Sequence, residues 1–273
     1  MLRSYWQFVC RHPRFLSFGL LLTFFSGFGQ TFYIALYSAD LRQVFELSHG
    51  SFGLVYSLAT LTSAVCLIYL GRKLDDVDLR LYTGLVCGGF ATAALLMAWS
   101  PSVVVLYLAI FGLRLTGQGL FGHIAITSMA RYFPAQRGKA ISIAGFGHPL
   151  SEAIFPLTAV ALVAWLGWRE MWAATALFMA LAMLPLFLVL LRGQQQRYDA
   201  GLKAPRPSAD MPSVSDNASD NWTRAQVLRD YRFYLALPAI LAPPFINTGV
   251  FFHQVHLSET KGWPLALFAS AFV

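Results

Sequence analysis

The sequence predicts an all-α integral membrane protein, and three observations carry that expectation. Of the 273 residues, 57% are apolar, 15% aromatic and only 12% charged, about half the ~25% of charged residues in a soluble domain. The apolar residues gather into seven runs near the ~20 residues needed to cross ~30 Å of hydrocarbon. Lys and Arg concentrate in alternate loops. A soluble fold of this length lacks the polar residues to cover so much apolar surface, so an ordinary cytosolic enzyme is excluded, as are disorder and a disulfide scaffold.

The runs are Phe15 to Tyr37, Phe52 to Leu70, Leu81 to Trp99, Val103 to Met129, Ala140 to Leu162, Glu170 to Leu191 and Phe233 to Val255. An eighth begins at Trp263 and meets the last residue, Val273, after a stretch that as helix rises ~15 Å, half a bilayer. The expectation is seven complete transmembrane helices plus a partial eighth, in a chain that is truncated. The first run is longer than a signal peptide, and Ser26, Gly27, Gly29 and Gln30 interrupt it, so it reads as a true first helix.

Orientation follows from the cations. Sixteen of the twenty Lys and Arg fall in the N-terminal arm and in the loops after runs two, four and six. Three, Arg42, Arg169 and Lys261, lie on the other side, and Arg114 lies within a span. The positive-inside bias places the N-terminus and the long loop in the cytoplasm, as in a multi-pass protein of a bacterial inner (plasma) membrane. The net charge of +7 is accounted for by these loops, and no nucleic-acid partner is expected.

Residues 1–192 form a six-helix bundle, 193–230 a cytoplasmic flexible linker, and 231–273 the start of a second bundle. The linker holds three consecutive Gln, Pro205, Pro207, Pro212 and a Ser/Asp/Asn-rich stretch, with a short surface helix expected near Trp222 to Asp230. Its glycosylation patterns at Asn217 and Asn221 carry no meaning on the cytoplasmic side. The three cysteines, Cys10, Cys66 and Cys87, are odd in number; the last two sit inside apolar runs without metal-ligand spacing and read as small buried hydrophobes. No metal cluster, Walker loop or nucleophile–base constellation is present, so neither a cofactor nor enzyme chemistry is expected, and ATP-driven pumping is disfavoured.

Several motifs carry more information together than singly. The loop after run two reads Gly71-x-x-x-Asp75-x-x-x-x-Arg80, in which Asp75 can accept hydrogen bonds from Arg80 or from an exposed helix N-terminus. Run four contains Arg114-Leu-Thr-Gly117-Gln-Gly119 and is followed by Arg131-Tyr-Phe-Pro134-Ala-Gln-Arg137-Gly138. Run five contains Gly145-Phe-Gly147-His148-Pro149, and Gly167-Trp168-Arg169 precedes run six. In order and spacing these resemble the major facilitator superfamily of transporters. The resemblance implies a carrier of two six-helix bundles working by alternating access, with Gly71, Asp75 and Arg80 as a conformational latch. The latch's partners, and the rest of the second bundle, are expected in a longer chain. His148 and Glu152 stand where many exporters of the family carry glycines, so an antiporter label does not transfer.

The cavity residues are read independently of the family. Charged groups inside spans cost ~2.5–3.5 kcal/mol on insertion scales and so face protein or water. Arg114 shares a helical face with Gln118 and Gly122, and His148 with Glu152, at steps of four. Arg114 is expected to hold an anionic group while Glu152 or His148 exchanges a proton; the alternative is a buried Arg114–Glu152 pair that orients helices. Run one presents Ser26, Gln30, Tyr33 and Tyr37 along one face, and run seven presents Asn247, Phe251 and Gln254 after Pro243-Pro244. Adjacent prolines predict a kink or break there, near which transporters build binding sites. His253 and His256 read as interfacial. The expected substrate and ion cavity is therefore Gln30, Tyr33, Arg114, Gln118, His148, Glu152 and Asn247. The expected function is secondary transport of a small solute, such as a monocarboxylate coupled to protons. Export of amphipathic drugs or metabolites, and a non-transporting sensor or assembly role, are the alternatives.

Overall fold

A computed structural model of the chain describes residues 2–194, 196 and 224–271. Most of the expected linker, including the two glycosylation patterns and Trp222, lies outside the described residues. The helices are α1 (Leu2–Arg11), α2 (Pro13–Gly29), α3 (Thr31–Val44), α4 (His49–Asp76), α5 (Leu79–Ala98), α6 (Val103–Tyr132), α7 (Pro134–Leu166), α8 (Trp168–Leu190), α9 (Arg224–Arg229), α10 (Tyr231–Phe252), α11 (Gln254–Lys261) and α12 (Leu265–Ser270). No strand occurs among the described residues. Six helices, α4 to α8 and α10, are long and apolar enough to cross a membrane, and α2 with α3, bent by 43°, makes a seventh as one broken span. Each of the seven apolar runs thus meets one of these spans.

Length alone does not order the spans; their two faces do. On α4, Leu54, Leu58, Leu61, Val65 and Ile68 repeat at helical spacing and are exposed, while Phe52, Tyr56, Ala59 and Ser63 on the other side are buried. An apolar stripe turned outward suits hydrocarbon, where the helix satisfies its own backbone groups. The buried side faces a core centred on α2, whose Phe15, Phe18, Leu22 and Phe25 lie among residues of α6, α7 and α8.

Small residues let α2 approach its neighbours closely. A Cβ at Gly147 of α7 would press on the Leu20 carbonyl and the Thr23 hydroxyl and lie 2.6 Å from the Phe24 nitrogen. The Thr23 hydroxyl donates to the Ala144 carbonyl at the same crossing. At Gly29, the last residue of α2, a Cβ would meet the Leu113 carbonyl and, at 2.6 Å, the Gln118 nitrogen, both backbone atoms of α6. Gly117 opposes it across the contact. This is small-residue packing of the kind that drives helix association in membranes.

Both partners at this crossing depart from α-helical geometry. Residues Ser26–Gly29 tighten into a 3₁₀ turn, Gln30 is extended at φ −82°, ψ 158°, and Arg114–Phe121 widen into a π-helix. Chain breaks and π segments in spans are tolerated where neighbouring protein re-satisfies the freed backbone. The break in the span therefore lies at Gln30. The expected break at Pro243-Pro244 is absent: α10 runs unbroken through Pro238, Pro243 and Pro244, and the chain turns only at His253. Prolines remove individual donors from the ladder, which a membrane helix survives when its remaining bonds hold.

Two further departures are local. Of the two thiols expected to be buried, Cys87 is buried and Cys66 on α4 is only half-buried, while Cys10 is exposed on α1. Beside Cys10, at the α1–α2 elbow, the His12 imidazole titrates below its ordinary value, first because it is partly buried and second because Arg11 is adjacent. At the start of α8, Gly167 takes φ +87°, a region only glycine enters freely. It positions Arg169 to donate to the Ala98 carbonyl at 2.8 Å, tying α8 to the end of α5.

The Gly29 crossing yields a test of this packing. Gly29→Ala drives a methyl into fixed backbone and should lower stability by about 3 kcal/mol, the upper end of overpacking costs. Gly122→Ala, with nothing within 4 Å of the added carbon, should cost little. Thermal unfolding of the two purified variants in detergent checks both. Equal melting temperatures would exclude the crossing as a determinant of the fold.

Candidate functional site: a buried arginine at the break in the first span

The break at Gln30 gives three consecutive side chains three different neighbours. Thr31 turns toward α4 and α6, Phe32 toward α7 and α10, and Tyr33 toward α7 and α8. The Thr31 hydroxyl accepts from the Tyr56 hydroxyl at 3.0 Å and from Arg114 Nη1 at 3.1 Å. Arg114 Nη1 also donates to the Gly29 carbonyl at 3.3 Å, which the turn leaves accessible. The guanidinium lies 5.4 Å from the centre of the Tyr56 ring.

The electrostatics of this cluster are unbalanced. Arg114 is only 4% exposed, and its acceptors are a carbonyl, a hydroxyl and a π face, all neutral. Its Nε is buried without a hydrogen-bond partner. Among the described residues no carboxylate comes within 4.0 Å of it. Buried charges are ordinarily paired, because desolvating an unpaired ion costs several kcal/mol.

The structure distributes the expected cavity residues unevenly. Arg114 and Glu152 do not pair; Glu152 instead lies 3.8 Å from His148, four residues back on α7, and both are partly exposed. His148 stands 6.3 Å, ring to ring, from Phe32. Gln30 and Gln118 are half-buried, with the Gln118 nitrogen close against Gly29. Gln118 does not sit directly above Arg114 as a step of four implies, because the π-helix there has a wider turn. Tyr33 separates from the group: it is 1% exposed, with its ring against Tyr37, Phe155 and Trp172. Asn247 is exposed on α10.

Three contributors were not among the expected cavity residues. Thr31 and Tyr56 hold Arg114, and Gln254, fully buried, donates from Nε2 to the Phe32 carbonyl at 2.8 Å while its Oε1 has no partner. The sequence signal for Gln254 existed, since it shares a helical face with Asn247 and Phe251. Thr31 and Tyr56 are ordinary residue types in spans, and only the break at Gln30 brings them to the arginine.

The expected latch also takes a different form. The Gly71 carbonyl accepts from His123 Nε2 at 2.9 Å. Asp75 pairs with Arg131, not with Arg80, and Arg131 donates further to the Leu74 carbonyl at 3.4 Å. The reason is helix length: α4 continues through Asp76, so Asp75 faces α6, one turn below Gly71. The helix N-terminus of α5 is capped by Asp78, whose Oδ1 accepts from the backbone of Arg80 at 2.9 Å and of Leu81 at 3.1 Å. The Arg80 side chain is exposed.

Removing the cap separates these roles. Asp78→Ala should lower stability by about 1 kcal/mol, the usual value of an N-cap, while Arg80→Ala should leave it unchanged. Chemical denaturation monitored by Trp fluorescence distinguishes them; a larger loss for Arg80→Ala would restore the Asp75–Arg80 pairing.

A family model described as Major Facilitator Superfamily matches residues 19–273. No curated protein matches the chain significantly, and no solved structure does.

Proposed function

The chain belongs to the Major Facilitator Superfamily, a family of secondary transporters rather than enzymes, and from that premise we propose that it carries a small organic anion, of the monocarboxylate class, together with protons. The observation that supports this reading is the Arg114 guanidinium, buried at the break in the first span with only neutral acceptors and an unused Nε. A carboxylate arriving at that site supplies the missing counter-charge, and a guanidinium offers it two parallel donors. Thr31 and Tyr56 orient the arginine. Gln30 and Gln118, at the same crossing, line the approach, and Asn247 contributes from α10; Tyr33 acts through packing.

His148 and Glu152 supply the proton step. Their 3.8 Å separation keeps a protonatable pair on α7, away from Arg114, so the anion and the proton occupy different places and couple through the conformation. Gly71, Asp75 and Arg80 belong to the cytoplasmic latch of the alternating-access cycle. In this reading residues 1–192 are the first bundle, 193–230 its cytoplasmic linker and 231–273 the opening of the second. The protein works in a plasma membrane with its N-terminus in the cytoplasm, and its partners are the solute, protons and lipid.

Proteoliposome uptake of a panel of small carboxylates under an imposed proton gradient tests the reading. Arg114→Lys should weaken anion affinity at least about tenfold, ~1.4 kcal/mol, because an ammonium cannot reproduce the bidentate clamp; unchanged affinity would sink the clamp. Glu152→Gln should abolish proton-driven accumulation while sparing part of the solute exchange. Equal loss of both activities would assign Glu152 to structure instead.

A further inference from the structure

At the end of the molecule away from the N-terminus, α3 and α4 meet α10 and α11. Aromatic contacts close the approach: Phe52 stacks on Phe252 at 5.7 Å, and Phe32 meets Phe251 at 5.9 Å. Above them lies a small cleft where titratable groups gather. His49 opens α4, and its ring lies 4.5 Å from that of His256 on α11. His253, at the turn between α10 and α11, lines the same cleft, as do Ser38 and Arg42 of α3.

The contacts in this cleft specify a protonation state. Arg42 Nη1 stands 3.0 Å from His49 Nε2. A guanidinium can only donate, so Nε2 must be the acceptor and the His49 ring must be neutral. Arg42 also reaches Glu259 of α11 at 4.0 Å. With neutral imidazoles the charged groups facing His49 are therefore Arg42 and Glu259, which balance. Protonation removes the acceptor on His49 and sets its positive charge against the guanidinium. Each further proton, on His256 or His253, adds a like charge that the single Glu259 carboxylate does not offset.

We propose that His49, His253 and His256 form a pH-sensitive clasp that holds α3–α4 against α10–α11 while neutral and releases them when protonated. The inference rests on the alternating-access reading, and it deepens that reading by assigning a proton sensor to the closure itself, apart from the His148–Glu152 pair. Imidazoles titrate between about pH 5 and 8, so an acidic exterior opens the path to the arginine where protons are available to be carried.

Ser38, 6% exposed in the closed cleft, reports the opening. In a background of Cys10→Ser, Cys66→Ser and Cys87→Ser, Ser38→Cys is labelled with a charged maleimide in open membrane fragments. Both faces meet the reagent there, so orientation does not enter. The rate is divided by that of Lys261→Cys, an exposed position, to remove the intrinsic pH dependence of thiol attack. The normalised rate should rise about fivefold from about pH 8 to about pH 5.5, across the imidazole range. Combining it with His49→Gln, His253→Gln and His256→Gln should flatten the profile, because an amide oxygen accepts from Arg42 but does not titrate. Should the triple variant fail to fold, His49→Gln alone is read and should lose most of the rise. A flat profile in the parent, or a rise that persists in the Gln variants, overturns the proposal. Labelling needs no solute, so its outcome is separate from that of carboxylate uptake.

Discussion

The backbone contact between Gly29 and Gly117 is the constraint on which the rest of the site depends. Two spans approach so closely there that no side chain fits between them, and neither keeps regular geometry: one tightens and breaks, the other widens. The break leaves the Gly29 carbonyl unclaimed by its own helix and turns Thr31 toward the same point. Arg114, the first residue of the π segment, reaches both. The close contact, the bend and the arginine site are thus one local solution to a single packing demand.

That solution explains how a buried cation is tolerated. The guanidinium is held by dipoles instead of by a carboxylate, so it remains positioned without being neutralised. A permanent ion pair at this position would instead neutralise the guanidinium and tie the same helices together. By contrast, Asp75 and Arg131 form an ion pair between α4 and α6 at the end of α4 away from His49.

The opposite end is closed by different means. Phe252 stacks on Phe52 of α4, while an edge-to-face contact of Phe251 with Phe32 and the Gln254–Phe32 hydrogen bond join α10 and α11 to the broken span next to the arginine site. Because Phe32 follows Thr31 directly, movement of α10 and α11 bears on the segment that holds Arg114. The cleft lined by His49, His253 and His256 lies at the same meeting of α3 and α4 with α10 and α11.

Much of the fold was legible in the sequence because hydrocarbon imposes a simple rule: every span must be long, apolar and helical. The seven runs, their order and the family all follow from composition and motif spacing, and Arg114 stood out as a charge within a span. What the sequence left open concerns where helices depart from regularity. Pro243 and Pro244 looked like the break, yet it lies at Gln30, because the position of a break is decided by what the neighbouring helix supplies to the freed backbone. Asp75 looked like a partner for Arg80, yet α4 runs one turn further and delivers it to Arg131. The helical step that grouped Arg114 with Gln118 fails within a π segment, and Tyr33 turns to Trp172 once the bend is made. Composition and periodicity determined that this chain is a bundle of membrane helices of a known kind. Which polar side chains converge was decided by tertiary packing, because the close glycine contact and the break at Gln30 send Thr31, Phe32 and Tyr33 to different neighbours.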